Sequence, residues 1–411
     1  MNKPYNNKIY FILALMLISS VTYGNGKKVL KSIKAKFEKV IGGRSYDAAS
    51  SAVLLKDGSF LVAGRSSSFG SSSDGLLVKL GSDGQEIWQK TYGDDQTEEI
   101  SDVIETSDGN YLIVGHSDSY NYAPDMNDMW AVKIKPNGDE IWNVVIESEE
   151  TIDEAESVVE TSDGGFVMVG TRITTIEDAT SSVMAVKIDS EGEMVWEKYY
   201  GGDGNEQGTC IVATSDGFTI TGNTESYGEG KWDIWVLHID NEGAKMWDFA
   251  YGGKNNEMSN RIINTSDGGY LFSGYSYSFA EGSLDAWVVK IDSKGTQQWA
   301  KNFGGLSTDE AFGIVEMSDG SFVLGGYTEV YEPDEDFVNI SKEGHNMFII
   351  KLKANGDKVW ERSLGGTGNQ KCFDLITTKD GGLLSVGTTD SNPLNGIDAF
   401  IVTLSSEGSY K

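Results

Sequence analysis

Apolar residues in this chain fall in short blocks, and each block ends at a turn. Residues 156–171, ESVVETSDGGFVMVGT, show the pattern: two β-rich apolar runs flank Ser162-Asp163-Gly164-Gly165. Asp-Gly between such runs predicts a hairpin, because the centre of the turn needs positive φ. The same turn recurs at Asp57-Gly58, Asp108-Gly109, Asp216-Gly217, Asp267-Gly268, Asp319-Gly320 and Asp380-Gly381, which makes seven hairpins. A second hairpin alternates with the first. In residues 184–202, MAVKIDSEGEMVWEKYYGG, two strands meet at Asp189-Ser190-Glu191-Gly192. Its tryptophan recurs at Trp88, Trp142, Trp196, Trp247, Trp299 and Trp360. Five residues later stand Gly93, Glu147, Gly201, Gly252, Gly304 and Gly365. A period a little over fifty residues marks a propeller or another repeat array.

One unit is therefore four strands: a (Ser157–Glu160), b (Phe166–Gly170), c (Met184–Ile188) and d (Val195–Tyr200). Strands b and c are apolar on both faces, so each needs cover on both sides, and radial stacking of blades supplies it. There are seven a–b hairpins and seven c strands, the last at Asp398 to Leu404, but only six d strands carry Trp. The missing one stands at the other end of the chain. Phe37-Glu38-Lys39-Val40-Ile41-Gly42-Gly43 matches the Trp-to-Gly-Gly strand, with Phe37 in the Trp place. The sequence thus predicts an all-β, seven-bladed β-propeller of four-stranded blades, closed by an N-terminal strand that completes the last blade. Closure removes exposed sheet edges. The rival is an open solenoid of the same units. One domain would fill residues 36–411 after a linker at 25–35.

Residues 1–24 read as an export signal, with basic Lys3 and Lys8, an apolar run from Ile9 to Val21, and small residues before a cut after Gly24. The apolar run is too short to span a membrane and no second one follows. The mature chain is expected to be a soluble monomer, secreted, periplasmic or at the cell surface. Cys210 and Cys372 are read at matching strand-a positions of blades 4 and 7, too far apart around a ring for a disulfide, and so as two small buried residues. The net charge of −30 excludes a nucleic-acid role and favours solubility, a cation or a basic partner.

In such a blade the a–b and c–d turns share one face, and the b–c and d–a loops share the other. The first set is nearly uniform here, while the b–c loops vary, and variable loops on a rigid scaffold are where binding resides. Several carry Tyr and acids: Tyr120, Tyr122 and Asp125 in blade 2, and Tyr331 with Glu332, Asp334, Glu335 and Asp336 in blade 6, whose loop also holds His345. Counting from each Asp-Gly turn into the d–a loop gives one equivalent residue per blade: Asp47, Glu98, Asp153, Glu206, Glu257, Asp309 and Gln370. These would ring the channel mouth. They either accept backbone N–H bonds within the d–a loops or hold a cation. Oxygen ligands suit Ca²⁺, the one cofactor the residues would admit, although so wide a ring would not place six carboxylates on one ion. After the Gly that ends strand b stand Arg65, His116, Thr171, Asn223, Tyr275, Tyr327 and Thr388, with Arg172 next to Thr171. His116, Arg65, Tyr275 and Tyr327 facing one cleft would suit proton abstraction from a uronic acid, with Arg neutralising the carboxylate. His238 replaces a strand-c lysine (Lys79, Lys133, Lys187, Lys290, Lys351) and reads as a blade variant. No metal-ligand spacing, phosphate loop or nucleophile elbow is present.

Residues 285–295, DAWVVKIDSKG, preceded by Asp-Gly-Gly-Tyr and followed by Trp-x-x-x-x-Gly-Gly, resemble the bacterial β-propeller repeat of secreted proteins over residues 37–404. The Asp292, Gly295, Trp299 spacing is also similar to the Trp-docking repeat of quinoprotein-type propellers. That resemblance implies a Trp that packs between blades and binds no cofactor. Neither resemblance implies shared catalytic residues. The leading expectation is a non-catalytic binder of a glycan or surface protein on the b–c/d–a face, with Tyr120, Tyr122, Arg172, Tyr275, Tyr327 and Tyr331 in contact with the ligand. The alternative is a polysaccharide-degrading lyase or hydrolase built on the His/Tyr/Arg group.

Overall fold

A computed structural model describes residues 37–408, apart from 71, 95, 119–126, 147–150, 175–179, 331–343, 366–367 and 392–395. The predicted export signal, linker and several b–c loop tips therefore lie outside the described residues. Every element is a strand, and the strands form seven antiparallel four-stranded sheets. Blade 1 runs Asp47–Leu54, Phe60–Ser66, Asp74–Leu80 and Glu86–Tyr92 as strands a to d. Strand a of blades 2 to 6 is Glu98–Glu105, Thr151–Glu160, Glu206–Ala213, Glu257–Asn264 and Asp309–Glu316. In blade 7, Gln370–Thr377, Leu383–Thr389 and Asp398–Leu404 are completed by Glu38–Ile41 from the N-terminal end. Glu38 pairs with Val402 and Ile41 with Ala399, in antiparallel register. Each strand a also touches the next around the full circle, blade 7 returning to blade 1.

The sandwiched blades explain the apolar runs. Strand c of blades 1, 2, 4, 5 and 7 is buried along its whole length. One core cluster forms at each blade interface, as where Leu112, Val114, Met129 and Ala131 of blade 2 meet Phe166, Met168, Met184 and Val186 of blade 3. At the rim, each strand-d tryptophan docks on the c–d turn of the following blade. Trp88 Nε1 donates to Pro136 O at 3.1 Å, Trp142 to Ser190 O at 3.0 Å, Trp196 to Asn241 O at 3.2 Å and Trp299 to Ala354 O at 3.1 Å. The turn glycine has positive φ (89° at Gly192), and a Cβ there would press on Trp142. Phe37 does the same service at the closing seam, lying against Gly84 of blade 1 and 6.2 Å from the Phe60 ring.

A second repeated tie joins strand c to the a–b turn. Lys79, Lys133, Lys187, Lys290 and Lys351 pair with Asp57, Asp108, Asp163, Asp267 and Asp319 at 2.7–3.3 Å. His238 takes the lysine's place opposite Asp216 at 3.5 Å, so it is the blade variant that the sequence suggests.

Two expectations need correction. Strand a begins earlier than Ser157 in blade 3: Thr151 to Glu160 form one strand, bulged between Ala155 and Ser157. Every strand a carries this bulge, and it accommodates a kink that alternation alone does not reveal. The bulge also separates the two cysteines. Cys210 follows it and Cys372 precedes it, so their positions do not match. Both thiols are free and buried.

Candidate functional site

The carboxylates expected to ring the channel mouth are the opening residues of strand a, and their side chains are inside the protein. Asp47, Glu98, Asp153, Glu206 and Glu257 are wholly buried, and Asp309 and Gln370 nearly so. Each works at its own blade junction. Glu257 accepts from Gly253 N (2.6 Å), Ser276 Oγ (2.7 Å) and Ser278 N (3.0 Å). Glu206 accepts from Gly202 N (2.9 Å) and Thr224 Oγ1 (2.9 Å). Asp47 accepts from Gly43 N (3.0 Å), Ser68 Oγ (2.6 Å) and Ser66 Oγ. The acid thus fastens the d–a link to the end of strand b. These are the backbone and side-chain bonds of the structural reading, and they place the acids in the junctions and not around the mouth. Among the described residues, no group of three or more His, Cys, Asp or Glu converges as a metal centre.

The axis carries a feature that no repeated residue type announces. Six positions before each turn Asp stand Ser51, Asp102, Ser157, Cys210, Arg261, Gly313 and Asp374, all just after the bulge. They form a belt. Asp102 accepts from Ser51 Oγ (2.8 Å) of blade 1, and from Ser157 Oγ and Val158 N (3.1 Å each) of blade 3. Arg261 of blade 5 reaches Asp374 of blade 7, two blades on, at 3.3 Å. Asp374 also accepts from Ala52 N of blade 1 at 3.1 Å. Burial raises the Asp374 pKa and Arg261 opposes the rise. Next to the belt, Glu156 is the bulge residue of blade 3. Its side chain is exposed, although many protein atoms stand close around it. Desolvation, then Glu154, Glu99 and Asp102, push its carboxyl up to about 8.

Nearer the d–a/b–c face, the second residues of strand a pair with the ends of strand b. Glu99 opposes His116, Met258 opposes Tyr275 and Glu310 opposes Tyr327, while Arg65 opposes Ala48. Arg65 binds Glu99 at 2.8 Å and lies 4.3 Å over the Tyr46 ring. The Tyr327 hydroxyl donates to Glu310 Oε1 at 2.6 Å, and Lys371 Nζ caps its ring at 4.0 Å. Burial first, then Glu310, raises the Tyr327 pKa, and burial lowers that of Lys371. Phe312 stacks on Tyr327 at 5.8 Å, and His345 meets its edge at 5.0 Å.

The sequence candidates therefore separate. Arg65 and His116 belong to blades 1 and 2, Tyr275 and Tyr327 to blades 5 and 6, on opposite arcs of the ring. Arg172 turns toward its own strand d, with Glu197 at 3.7 Å and the Tyr199 ring at 4.5 Å. Tyr327 is only 8% exposed, so it backs the wall and is not a presented platform. Tyr120, Tyr122 and Tyr331 lie outside the described residues. Tyr275 is half-buried, with a phenol pushed up to about 12 by burial and then Glu310. Beside it, Tyr277 (43%), Phe279 (44%) and Leu306 (87%) stand open to solvent. Sequence reasoning passed over these three. Leu306 follows Gly304-Gly305 where the other links continue with polar residues, and that break in the repeat was the available signal. A separate cleft of about 320 Å³ lies on the opposite face, between the a–b turns of blades 1 and 7, and is lined by Asp57, Phe60, Lys379 and Thr403. It follows the closing seam and gathers none of these residues.

No family model matches the chain. It is 22% identical over 211 residues to the regulatory protein FlaEY of Caulobacter vibrioides, and over 150 residues to an uncharacterized WD repeat-containing protein, L264, of Acanthamoeba polyphaga mimivirus. The matches cover 46% and 35% of this chain but only 21% and 11% of those proteins. Among solved structures, a Dyadobacter fermentans protein of unknown function superposes with a TM-score of 0.50 at 11% identity, covering 91% of this chain and all of that one. A puromycin hydrolase superposes at 0.55 with 12% identity, over 96% of this chain and 56% of its own. Such likeness speaks of architecture alone. The chain is a closed seven-bladed β-propeller whose similarity to known proteins reaches as far as that fold.

Proposed function

We propose that this propeller is an exported, non-catalytic binding scaffold, and that it holds a protein segment or a glycan on the d–a/b–c face at blades 5 and 6. The observation that carries the reading is the group of Tyr275, Tyr277, Phe279 and Leu306 on the loops and links of blade 5, three of them open to solvent and Leu306 the most exposed. Tyr277 meets Tyr275 edge to face at 6.2 Å, and Phe279 leans on Trp287 at 5.2 Å, so the rings are fixed before any ligand arrives. Pre-ordered aromatic anchors bind at low entropic cost. Leu306 has no polar handle, which favours a protein segment over a sugar. The funnel's charged groups support binding over chemistry, because Arg65, Tyr327 and Arg261 already answer carboxylates of their own. A lyase or hydrolase would need His116 and Arg65 to join Tyr275 and Tyr327 across the axis.

The test is a screen of purified protein against glycan arrays and displayed peptides, repeated with Leu306→Asp and Tyr277→Ala. The reading expects a ligand whose affinity drops at least about tenfold in each variant, as for central anchors. A ligand that both variants bind unchanged, or turnover of a polysaccharide that His116→Ala abolishes, would overturn it. Export is tested separately, by sequencing the N-terminus of the protein recovered outside the cytoplasm, which should begin after Gly24.

A further inference from the structure

The glycine that follows strand d has φ outside the left-handed region at Gly252 and Gly304, so its recurrence there is not explained by backbone conformation. Space explains it. A Cβ on Gly252 would overlap Asp233 Oδ1, from strand c of blade 4, and Glu257 Oε2, from strand a of blade 5. A Cβ on Gly304 would overlap Asp285 Oδ1, from blade 5, and Asp309 Oδ2, from blade 6. Each glycine therefore leaves room beside its Cα, into which carboxylate oxygens of two blades project.

Asp233 and Asp285 are each 1% exposed. Their Oδ2 atoms are satisfied, by Gly230 N at 2.9 Å in one case and by Glu281 N at 3.1 Å and Asn302 Nδ2 at 3.3 Å in the other. Their Oδ1 atoms accept no hydrogen bond and point into the space. A buried, unmet anionic oxygen is costly unless a positive charge answers it. The charged neighbours that act on Asp233 are Glu257 and Glu229, and those on Asp309 are Asp285 and Glu361, so carboxylate faces carboxylate. The junction between blades 6 and 7 supplies the contrast. There the same two positions are Asn346 and Gln370, both amides, beside Gly365.

We propose that the junctions of blades 4 and 5 and of blades 5 and 6 each bind a Ca²⁺ ion, one between Asp233 and Glu257 and one between Asp285 and Asp309. Oxygen-only donors of two negative charges suit a hard divalent cation, which takes oxygen ligands at about 2.3–2.6 Å and completes its shell with water. Gly252 and Gly304 are exposed, which gives the ion and its waters a path in. The Asn346–Gln370 junction is neutral and takes no ion.

The experiment uses the whole protein, stripped with EDTA and dialysed against Ca²⁺ alone at pH 7. Bound ion is measured per chain, together with the melting temperature. The expected result is uptake of Ca²⁺ and a rise of several degrees in millimolar Ca²⁺. Asp233→Asn with Glu257→Gln, which copies the amide junction, should lose one bound ion and part of the rise while melting in EDTA no lower than the wild type. Asp285→Asn with Asp309→Asn should do the same at the second site. Gly304→Ala, which fills the space and keeps both acids, serves if a double variant fails to fold and should also lose one ion. No uptake at all would overturn the proposal. So would unchanged stoichiometry in every variant, which would put the ions elsewhere. Stabilisation by acid alone, with Ca²⁺ inert, would mean that the carboxylates share a proton and would overturn it as well.

Discussion

Replacing Arg261 with methionine tests the axial belt. Arg261 and Asp374 meet at 3.3 Å across the width of blade 6, and Asp374 has no solvent exposure while the Arg261 side chain keeps 29%. Removing one member of a buried pair typically costs about 3–5 kcal/mol, because the other is left charged and unanswered. The loss here should be smaller. Asp374 retains two backbone donors, Ala52 N at 3.1 Å and Leu375 N at 2.8 Å, and the arginine end of the pair is partly exposed. We expect Arg261→Met to cost about 2–3 kcal/mol at pH 8. A domain of this size gains about 0.8 kcal/mol/K of unfolding entropy, so the melting temperature should fall by about 3–4 °C. Adding Asp374→Asn removes the stranded charge and should recover about half of the loss. The sign of the pH dependence follows from the same picture. Burial already raises Asp374, and loss of the guanidinium raises it further, so the single variant favours the protonated folded state. Its deficit should shrink as the pH falls from 8 towards 5 and grow as it rises. Melting curves of wild type, single and double variants at pH 5, 6.5 and 8 decide the matter. A single variant within one degree of wild type at pH 8, or a deficit that ignores pH, would refute the belt as described.

Three further outcomes follow. Glu156, with its carboxyl raised to about 8, stabilises the fold fully below its ordinary pKa and loses that contribution as the pH rises through about 8. Glu156→Gln should therefore match wild type at pH 4 and exceed it at pH 9, by an amount that solvent exposure holds to about 1 kcal/mol, read as a melting difference. Phe37→Ala should cost about 2 kcal/mol, since the half-buried ring packs on Phe60 and the blade 1 turn, and deleting residues 37–41 should leave Asp398–Leu404 as an open edge and give aggregates in size-exclusion chromatography. Iodoacetamide should label neither cysteine in the folded protein, because both are buried and burial pushes the Cys372 thiol up to about 12; labelling of native Cys372 within minutes would contradict this.

Much of the fold could be read before any coordinates, because its determinants repeat. The seven Asp-Gly turns, the Trp and Asp-x-x-Gly spacing and the lysine column of five blades each mark a tie that recurs around the ring. The docked indoles and the Lys–Asp pairs are those ties. Phe37 was recognisable as a stand-in for Trp by its place before Gly42-Gly43, and the pairing of Glu38 with Val402 closes the ring as that reading requires. The belt escaped notice for the opposite reason. Its seven members share a position and no chemistry, and the bulge before them breaks the two-residue alternation by which strands are read. The same bulge led to the mistaken match of Cys210 with Cys372. The candidate site was legible only as a face. Tyr275 and Tyr327 were found from their shared position, but burial depends on what stacks above them, and Phe312, His345 and Lys371 come from other strands.

The contrast between repeated and unrepeated residues also bears on function. A residue present in every blade meets a need of every blade, as do the junction acids, the docking tryptophans and the turn aspartates. Function in a ring with one ligand must break that symmetry. Two breaks stand out. The belt breaks it at the axis, where Arg261 of blade 5 pairs with Asp374 of blade 7. Blade 5 breaks it at the surface, where Leu306 stands 87% exposed on a d–a link whose counterparts continue with polar residues, beside the exposed b–c loop residues Tyr277 and Phe279. On the proposed reading a partner engages the blade 5 surface and not the axis. Arg261→Met should therefore lower stability and leave affinity for that partner intact, while Leu306→Asp should do the reverse. A binding assay and a melting curve on the same two proteins separate the effects, and parallel changes in both readouts would show that axis and shoulder are one site.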